Sequence, residues 1–458
     1  MVYETIVGRN REDLEAYGNK VSGFIGKHIV GTGEDAHLTT PVFLDLLRPH
    51  VILITGKRGT GKSYTAGVIA EEIAMVPEEK RKDMAIVLID TMGIYWSIKR
   101  PNEQQIDMLR DWGMRPKAFE NVRVYVPFSQ LEEFEEAGIP VDGGISIAPH
   151  EFSAEEWRLA FNLKPTEPAG VALEKNINKI LKDEKLRQFT IDDLITTIRD
   201  DTETEDDVKY ALINILTVAA EWGVFGTEGT DVEDIVSPGE ITIVDVSHLR
   251  ATGAWSVRNF IVAIIARKIY QRRLIARKQE EIVKMTGDIS LSEYIWEAKS
   301  RETKRSKKAF DITKLEFSEK EEKRGKFPLT WIIIDEAHNF VPADFNTVSS
   351  APLSLIAKQG REPGISLVVM TQMPSKVHQD ILSQCDIVFS HRLTSRGDLE
   401  ALHSVMQTYM SKELWTYIGN LPKSPGAAII LDDNMEKVFT VQIRPRASWH
   451  AGGTAALV

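Results

Sequence analysis

Along the chain, short and almost wholly apolar runs alternate with longer stretches whose apolar residues recur at helical spacing. The short runs lie at 51–55, 85–90, 122–126, 241–246, 331–335, 366–371, 387–390 and 427–431, and they are rich in Val and Ile. Such runs are strands buried on both faces, with helices as the connections between them. The pattern therefore predicts an α/β fold around a mostly parallel sheet. A further run at 438–443 mixes in polar residues and predicts an edge strand.

Two departures from the alternation suggest further segments. Residues 153–235 form a predicted helical insertion: Ser153-Ala154-Glu155-Glu156 and Thr190-Ile191-Asp192-Asp193 both have capping-box spacing, and the apolar positions within 211–220 read as core. The first 48 or so residues, punctuated by Gly23, Gly26, Gly31 and Gly33, predict a short β-rich arm or a reduced barrel. The remaining division is a core at 49–152 and 236–443 and a tail at 444–458. Within the core, residues 267–326 are a charged insertion carrying a surplus of about seven positive charges. That insertion reads either as a solvated helix and loop or as a basic arm facing nucleic acid.

Composition changes this picture little. With 43% hydrophobic and 27% charged residues the chain is an ordinary globular protein, and its formal charge of -11 leaves room for a locally basic groove. Cys385 is the sole cysteine, which excludes an internal disulfide and a thiolate metal cluster and suits a cytoplasmic setting. No run is long enough to span a bilayer, so membrane insertion is not expected.

The chemistry is concentrated at strand ends. Gly56-Lys57-Arg58-Gly59-Thr60-Gly61-Lys62-Ser63 follows the first apolar run and opens a helical stretch beginning at Tyr64, the context in which a glycine-rich loop wraps phosphates, so that Gly56 to Ser63 and Tyr64 are the candidate nucleotide-binding residues. Lys62 would neutralise the β and γ phosphates of ATP, and the Ser63 hydroxyl would ligate Mg2+. The run at 331–335 delivers Asp335 and Glu336 to its carboxyl end, the first to hold the metal and the second to polarise the attacking water. Gln372, after the next run, suits a sensor of the γ phosphate. Arg361 and Arg392 are candidates for an arginine that completes a neighbouring subunit's site. Asp90 reads equally as catalytic support or as a cap, and His338 and His391 read as structural.

Together these residues resemble the HerA branch of the HerA/FtsK superfamily of ring-forming ATPases. The resemblance rests on Gly23-Phe24-Ile25-Gly26, on Asp335-Glu336-Ala337-His338-Asn339-Phe340, on Gly360-Arg361 and the block from Ile365 to Ser375, and on His391-Arg392-Leu393-Thr394. It implies a RecA-like domain assembled as a homo-hexamer, nucleotide at each subunit interface, and double-stranded DNA moved through a central channel. It also favours Arg361 over Arg392 as the trans-acting group, and likens the tail to a brace on the adjacent subunit. Family members often work beside a NurA-type nuclease docked on an amino-terminal barrel. About 48 residues precede the core here, against roughly 100 for a small closed barrel, so a NurA-type nuclease stands as a possible partner that the resemblance supports less than the ATPase core. Where the family often has Gly-Glu, this chain has Asp90-Thr91-Met92-Gly93. The alternatives are a ring ATPase that remodels or docks a protein partner, and a nucleotide-controlled oligomeric switch.

Overall fold

A computed structural model describes residues 5–31, 35–183, 188–249, 256–286, 326–405 and 414–453. Among them runs one 13-stranded sheet. In chain order its strands are β1 (Thr5–Val7), β2 (Ser22–Val30), β3 (His37–Asp45), β4 (Val51–Thr55), β5 (Met84–Asp90), β6 (Val122–Pro127), β7 (Gly143–Ile145), β8 (Ile241–Asp245), β9 (Leu329–Ile334), β10 (Ile365–Thr371), β11 (Ile387–Ser390), β12 (Ala427–Asp432) and β13 (Lys437–Ile443). Across the sheet they lie in the order β1-β3-β2-β13-β12-β11-β4-β10-β9-β5-β8-β6-β7. Every neighbouring pair from β11 to β7 is parallel, as the apolar runs predict. On the other side β12, β13, β2 and β3 join antiparallel.

Both faces of the parallel part are covered, which is why its strands carry apolar residues at successive positions. Ile52 and Ile54 of β4 pack under the helix Lys62–Met75 with Val68, Ile69 and Ile73. Val51 and Leu53 face the opposite core, where the helices Val257–Thr286 and Ser350–Gln359 lie with the helical insertion. The insertion belongs to that same core. Its Trp157 stacks on Phe225 at 5.5 Å and packs against Phe260 of the long helix at 5.2 Å. Leu212, Leu216 and Ala219 are buried, and both predicted capping boxes close with reciprocal hydrogen bonds.

One expectation is overturned. The run at 438–443 is an interior strand, because β2 pairs with β13 through Val441, Gln442 and Ile443 and so extends the sheet into the amino-terminal segment. Its polar residues, which suggested an edge, alternate with the buried Val441 and Ile443. The three amino-terminal strands are thus continuous with the core sheet.

The basic segment is described only as far as residue 286, with 287–325 outside the described residues. Within the long helix its cations face carboxylates and carbonyls of the chain itself. Arg267 meets Glu156 at 2.5 Å, Lys268 meets Glu151 at 2.6 Å, and Arg272 meets Glu233 at 2.7 Å. Arg273 is fully buried and donates to the carbonyls of Pro363 and Phe327.

Residues 444–453 fold onto the chain's own Lys62–Met75 helix. Glu71, fully buried in that helix, accepts from Arg444 Nη1 at 2.8 Å, Arg446 Nε at 3.3 Å, Ser448 N at 2.9 Å and Ser448 Oγ at 2.6 Å. Arg446 lies flat against Gly67, where a Cβ would stand 2.7 Å from its guanidinium carbon. Replacing a helix-interior glycine by alanine ordinarily stabilises by about 0.5–1 kcal/mol. For Gly67→Ala we expect the reverse, a loss of about 1–3 kcal/mol from overpacking, read as a lower Tm in thermal unfolding. An unchanged or raised Tm would show that the Arg446 side chain yields without cost.

Candidate nucleotide site

The parallel register brings several strand ends to one edge. Thr55 at the end of β4 lies beside Thr371 of β10 and Ser390 of β11, and Ile334 of β9 pairs with Val369 of β10 and Ile89 of β5. The residues just past these strands therefore converge: the glycine-rich loop after β4, Asp335 and Glu336 after β9, Gln372 after β10, and His391 with Arg392 after β11. Carboxyl ends of parallel strands are where such sheets bind their ligands.

Within the loop, Gly56, Gly59 and Gly61 all have positive φ, a backbone region that side chains with a Cβ rarely enter. Gly61 is the N-cap of the 14-residue helix that begins at Lys62, so the loop's amides and the positive end of the helix face the same space. The Lys62 ammonium donates to the Lys57 carbonyl of the loop at 3.3 Å. Burial pulls it below the usual lysine range, while the charges of Glu336 and Asp335 act the other way. Thr60 closes the turn by donating from its hydroxyl to the Lys57 carbonyl at 2.7 Å. Lys57, Arg58 and Gly59 are exposed.

Asp335 is 1% exposed, and burial together with the neighbouring Glu336 charge pushes its pKa up to about 7. The Thr91 hydroxyl lies 3.5 Å from it. Glu336 sits in the left-handed region at φ 48°, a strained position for a non-glycine residue, which turns its carboxylate toward Gln372. The Gln372 amide donates to Glu336 Oε1 at 2.5 Å. Glu336 Oε2 is buried without a hydrogen-bond partner, with His338 Nδ1 3.4 Å away. His338 Nδ1 also lies 3.1 Å from the Thr371 hydroxyl, so this ring touches the candidate base as well as the scaffold.

Asp90 accepts from four consecutive backbone N–H groups, Met92, Gly93, Ile94 and Tyr95, at 2.7–3.0 Å. Burial and the Asp245 carboxylate at the paired position of β8 push it up to about 7, against those four donors. Its geometry is that of a cap on the turn after β5.

The two arginines part company. Arg392 is exposed and beside its own chain's loop, its carbonyl accepting from Lys57 N at 3.1 Å. Arg361 precedes β10 and reaches Asp386, immediately ahead of β11, at 3.2 Å. It therefore stands at the amino edge of the sheet, a strand length of roughly 15 Å from its own loop. Tyr64 turns its hydroxyl to the tail, accepting from Arg446 N at 2.7 Å and donating to Gln105 at 3.0 Å.

Some contacts of the site are visible only in three dimensions. His391 lies beneath the loop: its Nδ1–H donates to the Ala427 carbonyl at 3.0 Å, and its Nε2 accepts from the Thr65 hydroxyl at 2.9 Å. Burial holds its pKa down to about 4, so the ring is neutral. A Cβ on Gly56 would come within 2.5 Å of the His391 Cβ. Tyr95 donates to the Ser63 carbonyl at 3.3 Å. In the sequence His391 stands after an apolar run and opens the block His391-Arg392-Leu393-Thr394 that shares in the resemblance, but nothing there shows its bonds to Thr65 and Ala427.

A sequence profile described as "Helicase HerA, central domain" matches residues 24–269, more than half of the chain, including the loop but ending before Asp335. The DNA double-strand break repair helicase HerA of Pyrococcus furiosus is 26% identical over 210 residues, 45% of this chain and 33% of that protein. The probable counterpart in Methanocaldococcus jannaschii is 26% identical over 344 residues, 71% of this chain and 58% of that one. The chain thus spans between a third and three-fifths of these relatives' length. Among solved structures, VirB4 of Thermoanaerobacter pseudethanolicus is similar with a TM-score of 0.51 at 14% identity, over 93% of this chain and 98% of that one. That likeness concerns the fold, the α/β architecture of P-loop NTPases, in agreement with the strand order of the sheet. Among the described residues no helix is long and apolar enough to cross a membrane. On the extent of the profile match, the chain belongs to the HerA helicase central-domain family.

Proposed function

We propose that this chain hydrolyses ATP as a subunit of a head-to-tail ring, hexameric by its resemblance to HerA, and that turnover drives movement on double-stranded DNA. One observation carries the hydrolytic part: Lys62, Asp335, Glu336 and Gln372 converge at one sheet edge, where Glu336 keeps a buried oxygen without a partner. In this reading that oxygen would take the proton from a water admitted with the nucleotide. Gln372, already bonded to the other oxygen, orients the carboxylate and can sense the γ phosphate. Loop amides and Lys62 would hold the phosphates.

The residues also fit Mg2+. A buried Asp335, pushed up in pKa, stands beside the partly buried Glu336 without a full counter-charge, and Ser63 and Asp335 are the groups that would hold the ion. Bound with nucleotide, it would supply neutralisation of the phosphate charge. Among the described residues no cluster of three His, Cys, Asp or Glu forms a separate metal site.

The DNA part draws on the relatives, which are named as DNA repair helicases. The ring draws on the position of Arg361. In a head-to-tail ring a residue serving the neighbour must lie away from its own site, and Arg361 does.

In Glu336→Gln we expect ATP binding to persist while kcat falls by about 10²–10⁴. Titration of a nucleotide analogue beside single-turnover hydrolysis checks this, and retained turnover would assign the base elsewhere. Duplex DNA is expected to raise the ATPase rate of the wild-type oligomer, with an affinity that declines linearly on a logarithmic salt scale. Neither binding nor stimulation at low salt would reject DNA as the substrate and favour a protein partner. Mixing Arg361→Ala with Lys62→Ala subunits should restore hydrolysis at interfaces that join an intact loop to an intact arginine. No recovery in demonstrably mixed rings would remove Arg361 from the neighbouring site.

A further inference from the structure

At the amino edge of the sheet lies a run of charged side chains that the nucleotide site does not use. Arg9, between β1 and β2, binds Asp45 at the end of β3 in a fully buried pair. Asp45 Oδ2 lies 3.2 Å from His50 Nε2, and His50 Nδ1 lies 2.8 Å from Asp386 Oδ2. Asp386 Oδ1 then meets the Arg361 guanidinium at 3.2 Å. The signs alternate along the run, positive at Arg9, His50 and Arg361 and negative at Asp45 and Asp386. Its first four members are nearly or fully buried, whereas the Arg361 side chain is 44% exposed. A buried ionic run that ends in one exposed guanidinium is more than a surface ion pair, because the partner of that guanidinium cannot move. Asp386 is also held by Val51 N at 2.9 Å and by the Asn434 amide at 3.2 Å, and Arg361 by the Gln384 carbonyl at 2.9 Å.

Resting on the reading of Arg361 as the group that completes the neighbour's site, we propose that Asp386 and His50 are positioning residues that fix the Arg361 guanidinium at the subunit surface. Both ring nitrogens of His50 face carboxylates, so both must donate, which requires the imidazolium. The charged groups around it are Asp45 from β3, Asp386 from the start of β11, Asp432 of β12, which accepts from Gly8 N at 2.7 Å, and Arg9 and Arg361 beyond the first two. Burial opposes the imidazolium, but Asp386 and Asp45 outweigh it and raise the pKa from 6.5 to about 9. The charged form therefore persists through neutral pH and is lost as pH rises through about 9. Asp386, though buried, is held below the usual carboxylate range by His50 and Arg361.

The test is steady-state ATPase of the assembled full chain between about pH 7 and pH 10, with circular dichroism over the same range to confirm folding. In the wild type kcat should fall as pH passes about 9 while KM holds. Arg361→Ala, a change at a half-exposed side chain, should lower kcat and abolish that fall. Asp386→Asn should cost about 10²-fold in kcat, as expected for a misplaced catalytic group, and nothing further when combined with Arg361→Ala. A fall near pH 9 that persists in Arg361→Ala, or an Asp386→Asn penalty that is independent of Arg361, would overturn the proposal. If Asp386→Asn does not fold, the comparison of pH profiles between wild type and Arg361→Ala decides alone. An Arg361→Ala protein with unimpaired kcat would instead remove the trans-acting arginine itself, an outcome distinct from failure of the positioning role.

Discussion

A carboxylate in the middle of the loop-bearing helix constrains most of what surrounds it. Glu71 is fully buried, and in that position it has to be matched by donors. The tail supplies them from Arg444, Arg446, Ala447 and Ser448. Glu72 next to it accepts from Arg444 and from Phe24 N of β2, while Arg444 donates to the Phe24 carbonyl. Arm, helix and tail are thereby one ionic assembly. A buried ion pair contributes little net stability against its desolvation, but removing one partner costs about 3–5 kcal/mol. The three segments consequently hold or fail together, and the direction of the helix over β4, and so of the loop at its start, is set by residues some 375 positions away.

The sheet separates two kinds of polar chemistry. Its parallel strands are covered on both faces, so charged groups survive only at the ends, where they can be solvated or paired. At the carboxyl edge the ends carry the carboxylates Asp335 and Glu336 with the buried Lys62 of the loop. At the amino edge they carry the compensated run from Arg9 to Asp386. The carboxyl edge keeps Glu336 Oε2 without a hydrogen-bond partner, whereas the amino-edge run is closed on itself except at Arg361.

What was legible in the sequence was local. Buried strands announce themselves by continuous Val and Ile, the capping boxes by four consecutive residues, and the loop with Asp335 and Glu336 by strand-then-polar order. What was not legible depended on partners far along the chain. Nothing near 438–443 shows that β2 will pair with it, nor does anything near Glu71 show that the tail will cover it. In the basic stretch the same holds for pairing: the partners of Arg267, Lys268 and Arg272, which are Glu156, Glu151 and Glu233 of segments earlier in the chain, appear only in three dimensions. Asp90 sits between the two cases. Its place after a strand suggested chemistry or a cap, and only the four converging amides decide for the cap.

The contact between Glu336 and Gln372 ties chemistry to scaffold. Because the amide occupies Oε1, Oε2 is the oxygen that stays without a hydrogen-bond partner, and the one the proposed function assigns to a water. In the proposed reaction a proton taken there changes the charge of the carboxylate that Gln372 holds, and so the strength of that bond, since hydrogen bonds to an ionised group are the stronger ones. Gln372 is the residue next to β10, and β10 is paired along its length with both β4 and β9. Any displacement of Gln372 on turnover is thus referred to the two strands that carry the loop and the base. At the other end of β10, Gly364 N bonds to the Arg361 carbonyl at 3.1 Å and Ile365 N to the Gly360 carbonyl at 2.7 Å. One strand therefore runs from Gln372 to the turn that carries Arg361, the residues that the proposed function places at a subunit's own nucleotide and at its neighbour's.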